Sequence, residues 1–233
     1  MTVSRSYDDP CGLSRALNRV GERWALLVVR ELVYGPKRFA DLRRGLPGIS
    51  PNVLSQRLDE LESHDVLRRR LMPAPVSGWV YELTDVGAGL APALIALARW
   101  GSRLPVQSAR ELSPNAFWLA LETTYLPGRA GSGKVVINLD GESKEAQFDD
   151  RALTWVAVAS RSSDAIISTT QVELRTIVFG DRQFDDALRE QTMIVEGDTD
   201  LARRLIASFE RPPTSILRGH PGRPVSGRPH RSG

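Results

Sequence analysis

The most regular pattern in the chain lies between residues 51 and 63. Val53, Leu54, Leu58 and Leu61 recur at the spacing of one helical face, and Asn52, Ser55, Gln56, Asp59 and Ser63 recur on the opposite face. Ser50 is a good N-cap, and Pro51 suits a first helical turn, where a missing N–H costs nothing. The pattern predicts a helix of about 13 residues, roughly 20 Å long, with one apolar side and one side of amides and hydroxyls.

Helical periodicity also covers the residues before it. Residues 11–34 read as two helices broken near Gly21, with Leu13, Leu17 and Val20 on the first. The second carries Trp24, Leu27, Val28 and Leu32 and stops at Gly35-Pro36. A short helix follows, with Phe39 and Leu42 inward and Arg38, Arg43 and Arg44 outward, and Leu46-Pro47-Gly48 turns into the helix from Ser50. After it, residues 66–72 and 79–83 read as paired strands flanking a proline-rich loop, a wing. Thr84 caps a long helix over residues 85–104, with Leu90, Leu94, Leu97 and Ala98 on one side. Ile95 and Trp100 widen that side into a dimer contact, and Pro92 should disturb its first turns.

The pattern changes in the second half. Residues 106–113 read as a linker, and Pro114 opens a helix. Four strand-like runs follow, then two helical runs, a short strand and a last helix. That order predicts an α+β domain with helices grouped around an antiparallel sheet.

Composition adds bounds. At 233 residues the chain is long enough for two cores, and 41% hydrophobic with 25% charged residues is ordinary for a soluble globular protein. No apolar run of membrane-spanning length occurs, the start lacks a signal-peptide core, and one cysteine excludes an internal disulfide. A cytoplasmic location with no membrane partner is therefore expected. The net charge of +3 is unevenly spread. Residues 1–104 hold 15 Lys and Arg against 11 Asp and Glu, residues 105–210 hold 11 against 17, and residues 211–233 hold 5 against none. Only part of the chain is thus suited to a polyanion.

Candidate chemistry is sparse. His64, His220, His230 and Cys11 are too scattered for a zinc site, and no catalytic triad or carboxylate pair stands out. Neither an enzyme nor a cofactor is expected. Residues 128–134 fit the phosphate-loop spacing G-x-x-x-x-G-K, but Val135 stands where Ser or Thr would hold magnesium, and a strand follows instead of a helix. A turn is the better reading. The amide-and-hydroxyl side of the helix from Ser50 carries groups that read base edges in a DNA major groove. The same residues would also serve as an ordinary solvated face.

The motifs C-x-Ø-x-x-A-L-x-x-Ø-G-x-R-W, G-P-x-R-F-x-D-L-R, L-P-G-I-S-x-x-V-L-S-x-R-L-x-E-L-E and V-x-Y-x-L-T-x-x-G occupy residues 11–24, 35–43, 46–62 and 80–87. In that order, over residues 8–104, the chain resembles the HxlR family of winged helix-turn-helix regulators, a MarR-like fold. The resemblance implies homodimers on two half-sites of a double-stranded DNA operator, more often as repressors. It puts the helix from Ser50 in the major groove and the loop at residues 73–77 at the minor groove. Asn52, Ser55 and Gln56 become candidate base contacts, and Ser50 a candidate phosphate contact. Arg57 is either a phosphate contact or a structural ion pair. Arg38, with Lys37, Arg43 and Arg44, is a candidate for the DNA backbone. Cys11 stands where some family members sense oxidants, although a lone cysteine also serves as a small buried hydrophobe.

The run V-E-G-D-x-x-L-A-R-R-L at residues 195–205 resembles sterol carrier protein-like domains, over residues 114–210. That resemblance implies an apolar ligand cavity, with Phe117, Trp118, Val178 and Phe179 as lining candidates or simple core residues. Residues 211–233, rich in Pro, Gly and Arg, read as a disordered tail, either an aid to DNA attachment or a passive solubiliser. The combined reading is a DNA-binding regulator responsive to an apolar ligand or to oxidation of Cys11. The alternative is a lipid or small-molecule carrier whose first domain only dimerises.

Overall fold

In a computed structural model, residues 6–73, 77–105, 110–158 and 163–210 are described. The expected wing tip at residues 74–76, the linker at residues 106–109 and the tail at residues 211–233 lie outside them.

The first domain runs α1 (Gly12–Val20), α2 (Ala25–Leu32), α3 (Phe39–Gly45), α4 (Pro51–Ser63), β1 (Leu67–Met72), β2 (Gly78–Leu83), α5 (Asp85–Ala88) and α6 (Ala91–Gly101). Val28, Val29, Leu32, Leu42, Leu46, Leu54, Leu58, Leu61 and Leu67 form its core. Of the stripe expected on α1, only Val20 enters that core; Leu13 and Leu17 stay exposed. The long helix expected after Thr84 is two helices. Thr84 caps α5, its hydroxyl accepting from the Gly87 N–H at 3.1 Å. Gly87 lies so close to the Val66 carbonyl that a Cβ there would stand 1.9 Å from its oxygen. The chain turns again at Leu90, and α6 starts afresh with Pro92 in its first turn, where proline is tolerated.

The second domain comprises α7 (Pro114–Thr124), β3 (Gly133–Leu139), β4 (Glu142–Phe148), β5 (Leu153–Ala157), β6 (Ala165–Thr169), α8 (Gln171–Phe179), α9 (Phe184–Arg189), β7 (Met193–Gly197) and α10 (Thr199–Ala207). Its sheet has the order β5-β4-β3-β6-β7. The expectation of an antiparallel sheet is corrected at one pairing, because β3 and β6 run parallel. Asp140 and Gly141, at φ 50° and 91°, make the two-residue turn between β3 and β4, a hairpin geometry that favours this dipeptide. Alternation then sends Val135, Ile137 and Leu139 to the core side with Trp155 and Ile167, under Phe117, Trp118 and Leu121 of α7. Residues 128–132 form the loop before β3, in line with the turn read there in place of a phosphate loop.

The domains touch. α7 lies against α2 and α6, and the Arg99 guanidinium donates to the Thr123 carbonyl at 3.2 Å.

Candidate nucleic-acid interface

The Ser50 backbone is extended and its hydroxyl oxygen accepts from the Val53 N–H at 3.3 Å, the cap read from the sequence. Since α4 ends in a 3.6-residue period, burying Leu54, Leu58 and Leu61 forces Asn52, Ser55, Gln56, Asp59 and Ser63 outward, and all five are exposed. α2 and α3 supply the floor: Val28, Val29 and Leu42 are fully buried in the cluster that receives the α4 leucines. The Gln56 amide donates to Glu60 Oε1 at 2.9 Å.

Arg57 is 7% exposed, with its guanidinium against Glu60 and 3.7 Å from Glu22. Of the two roles left open for it, this geometry serves the ion pair.

Two strands and one bridge make the wing. β1 pairs antiparallel with β2, and the Lys37 and Tyr81 main chains exchange hydrogen bonds at 3.0 and 2.8 Å. The three arginines of β1 do not act alike. Arg68 and Arg70 both bind Glu82, at 2.8 and 2.9 Å. Burial raises the Glu82 carboxyl, but hydrogen bonds from these two arginines outweigh it and leave its pKa below the ordinary value. Arg69 instead lies 4.5 Å over the Trp79 ring, and Trp79 is exposed. The sequence reading missed this stack. Its signal is the period-two alternation of β2, which puts Trp79 and Tyr81 on one face, opposite Leu71 and Arg69 of β1.

Arg38 is exposed, and its guanidinium donates to the Ser77 carbonyl at 3.1 Å beside Gly78, so it also supports the base of the wing. Arg44 pairs with Asp41 at 3.0 Å, whereas Arg43 points outward from α3.

Cys11 is a free, exposed thiol at the N-terminus of α1. Asp9 accepts from its backbone N–H at 2.9 Å.

The four ligand candidates gather in one packed cluster. Phe117 and Trp118 are fully buried core side chains, and Val178 and Phe179 are half-buried against them. The Phe117 and Phe179 rings meet edge to face at 6.3 Å, and Trp118 tilts against Trp155 at 4.7 Å. Surface hollows lie beside Arg15, Arg19 and His64 and beside Lys134, Asp149 and Asp164.

Helix, turn, helix and a two-stranded wing, with a polar α4 face raised above a leucine floor, define a winged helix-turn-helix DNA-binding module. Residues 19–108 match the HxlR-like helix-turn-helix family. The HTH-type transcriptional regulator YvaP of Bacillus subtilis (strain 168) is 38% identical over 88 residues, 38% of this chain and 82% of its own. YodB, another HTH-type transcriptional regulator of that organism, is 31% identical over 91 residues, 39% of this chain and 81% of its own. The solved reduced form of YodB covers 41% of this chain and 94% of its own at 30% identity, with a TM-score of 0.37. The chain belongs to the HxlR family through its first domain and is a DNA-binding transcriptional regulator. Residues 109–233 lie beyond the family match. No helix among the described residues is long and apolar enough to cross a membrane.

Proposed function

We propose that this regulator works as a homodimer that places α4 of each copy in successive major grooves of a two-half-site operator and represses the gene it covers. The observation that carries this reading is the joint exposure of Asn52, Ser55 and Gln56 on one side of a helix whose other side is locked in the core. With one amide N–H engaged by Glu60, Gln56 keeps its other N–H and its oxygen, the donor and acceptor that adenine N7 and N6 require. The Ser50 oxygen accepts from the Val53 N–H and still has its own O–H to give to a phosphate. Arg43, with the Arg69–Trp79 stack, would neutralise the flanking backbone, and Arg38 would contribute by holding the wing.

Dimerisation is supported by the apolar surface left outside the core. Leu13 and Leu17 of α1 are exposed, and so are Leu97 and Trp100 of α6, at 49% and 62%. Grease of this size on two helices is costly to leave in water and suits a second copy.

The second domain we read as a sterol carrier protein-like sensor. Helices laid on one five-stranded sheet and the residue 195–205 motif support that reading. An apolar ligand would enter by parting Phe117 from Phe179. The second trigger is oxidation of Cys11 by hydrogen peroxide, which converts the thiol to a sulfenic acid and releases water.

Footprinting of the full chain on DNA upstream of its own gene tests the core of the proposal. Two protected half-sites about one helical turn apart are expected, lost in Asn52→Ala/Gln56→Ala. Protection that survives the double substitution would overturn the assignment of α4.

A further inference from the structure

A buried polar junction joins the two domains. Glu31, at the end of α2, has no exposed side-chain surface. Its Oε1 accepts from Arg30 and from the Ser113 hydroxyl, both at 2.7 Å, and Lys37 Nζ stands 3.8 Å from its Oε2. Asn115 donates to the Glu31 backbone carbonyl at 2.6 Å. Three residues on, Tyr34 rests on the core of the second domain. Its hydroxyl donates to Glu122 Oε2 at 2.7 Å, while the Lys144 ammonium lies 5.2 Å over its ring and donates to its carbonyl at 3.4 Å. Ser113, Asn115 and Glu122 belong to α7 or its cap, and Lys144 to β4.

The same stretch of chain runs straight on into the wing. Lys37 exchanges both main-chain hydrogen bonds with Tyr81 of β2, and Arg38 holds the Ser77 carbonyl. Residues 31–38 therefore carry second-domain contacts at one end and wing contacts at the other. Hydrogen bonds between buried groups tolerate little displacement, because each partner pulled away is left unpaired in a dry site.

We propose that the second domain sets the position of the wing through residues 31–38, with Glu31 and Tyr34 as positioning residues for DNA binding. This rests on the reading of α4 and the wing as the DNA interface. Any event that shifts α7 would then reach the duplex through the Lys37–Tyr81 pairing, with no ligand near the DNA.

The test uses the full chain and two readouts. One is amide hydrogen exchange at Lys37 and Tyr81; the other is retention on a DNA fragment from upstream of the chain's own gene. Tyr34→Phe removes the bond to Glu122 and should speed exchange at both amides about fivefold and weaken retention by a similar factor. Ser113→Ala, which removes an independent contact, should do the same. Glu122→Gln still offers an oxygen to the Tyr34 hydroxyl, so it should exchange no faster than the wild type at either amide and be retained as well. Unchanged exchange at Lys37 and Tyr81 in Tyr34→Phe and Ser113→Ala would overturn the proposal. So would faster exchange spread evenly over α4 and β3, which is general loosening. Should Tyr34→Phe fail to fold, Ser113→Ala decides. A wild-type chain with no salt-sensitive retention would sink the DNA reading alone, since exchange needs no DNA.

Discussion

Gln56 donates to Glu60 one turn further along α4, at 2.9 Å, so its amide is held before any duplex arrives. A held amide loses less freedom on contacting a base, which is the benefit of preorganisation. Gln56→Ala should therefore cost about 1–3 kcal/mol of operator discrimination. Folding should change by only a few tenths of a kcal/mol, the scale of an exposed pair at this spacing. Titrations against operator and scrambled duplexes, beside a denaturation curve, measure both.

Arg57 and Arg43 should separate cleanly by salt. Arg57→Met breaks contacts with Glu60 and Glu22 and should destabilise the fold by roughly 0.5–3 kcal/mol, leaving the salt dependence of DNA binding alone. Arg43→Ala should leave stability unchanged and reduce the slope of log affinity against log salt by about 0.9. Binding measured from low to moderate salt decides which arginine meets phosphate.

Gly87→Ala should be among the harshest small substitutions in the first domain. The added methyl would meet the Val66 carbonyl at 1.9 Å, so either α5 or the start of β1 has to move. We expect a loss of about 1–3 kcal/mol, the usual cost of overpacking. An unchanged melting temperature would mean that the close approach is relieved without strain.

Glu122 gives a pH dependence of definite sign. Burial raises its pKa above the ordinary 4.5, and the hydrogen bond from Tyr34 pulls it only part of the way back. The folded state thus prefers the protonated acid. Its contribution to stability is fully present below about pH 4.5 and is lost as pH rises through the raised value. Glutamine cannot ionise, so Glu122→Gln should gain on the wild type as pH increases from 4.5, in melts followed across that range.

Cys11→Ser should bind operator as the wild type does but no longer release it when hydrogen peroxide is added. The thiol is exposed and therefore reachable. Equal release from both proteins, read by mobility shift, would assign the response elsewhere.

Much of the first domain is legible along the chain because its elements are local. Ser50, Pro51 and the α4 leucines specify a helix and its inward side within 13 residues. What the sequence hides depends on distant partners. Arg57 stands one position from Leu58; its partner Glu60, one turn along the same helix, is readable along the chain, but the burial of that pair and the approach of Glu22 from the segment before α2 are not. Arg68 and Arg70 look like free cations until β2 brings Glu82 across from them. Phe117 and Trp118 carry no mark that tells a cavity wall from a filled core. The parallel partnership of β3 and β6 is likewise invisible to alternation, which is the same for either direction of pairing.

Glu31 makes the family boundary a poor place to cut. A fragment ending near residue 108 would keep the aligned helices and strands but discard Ser113 and Asn115, leaving Glu31 with Arg30 and Lys37 alone and laying bare the sides of α2 and α6 that α7 covers. Such a truncation would report on its own damage, so the smallest sound specimen of this regulator extends at least through Glu210, past the Phe209 side chain that packs on Tyr125.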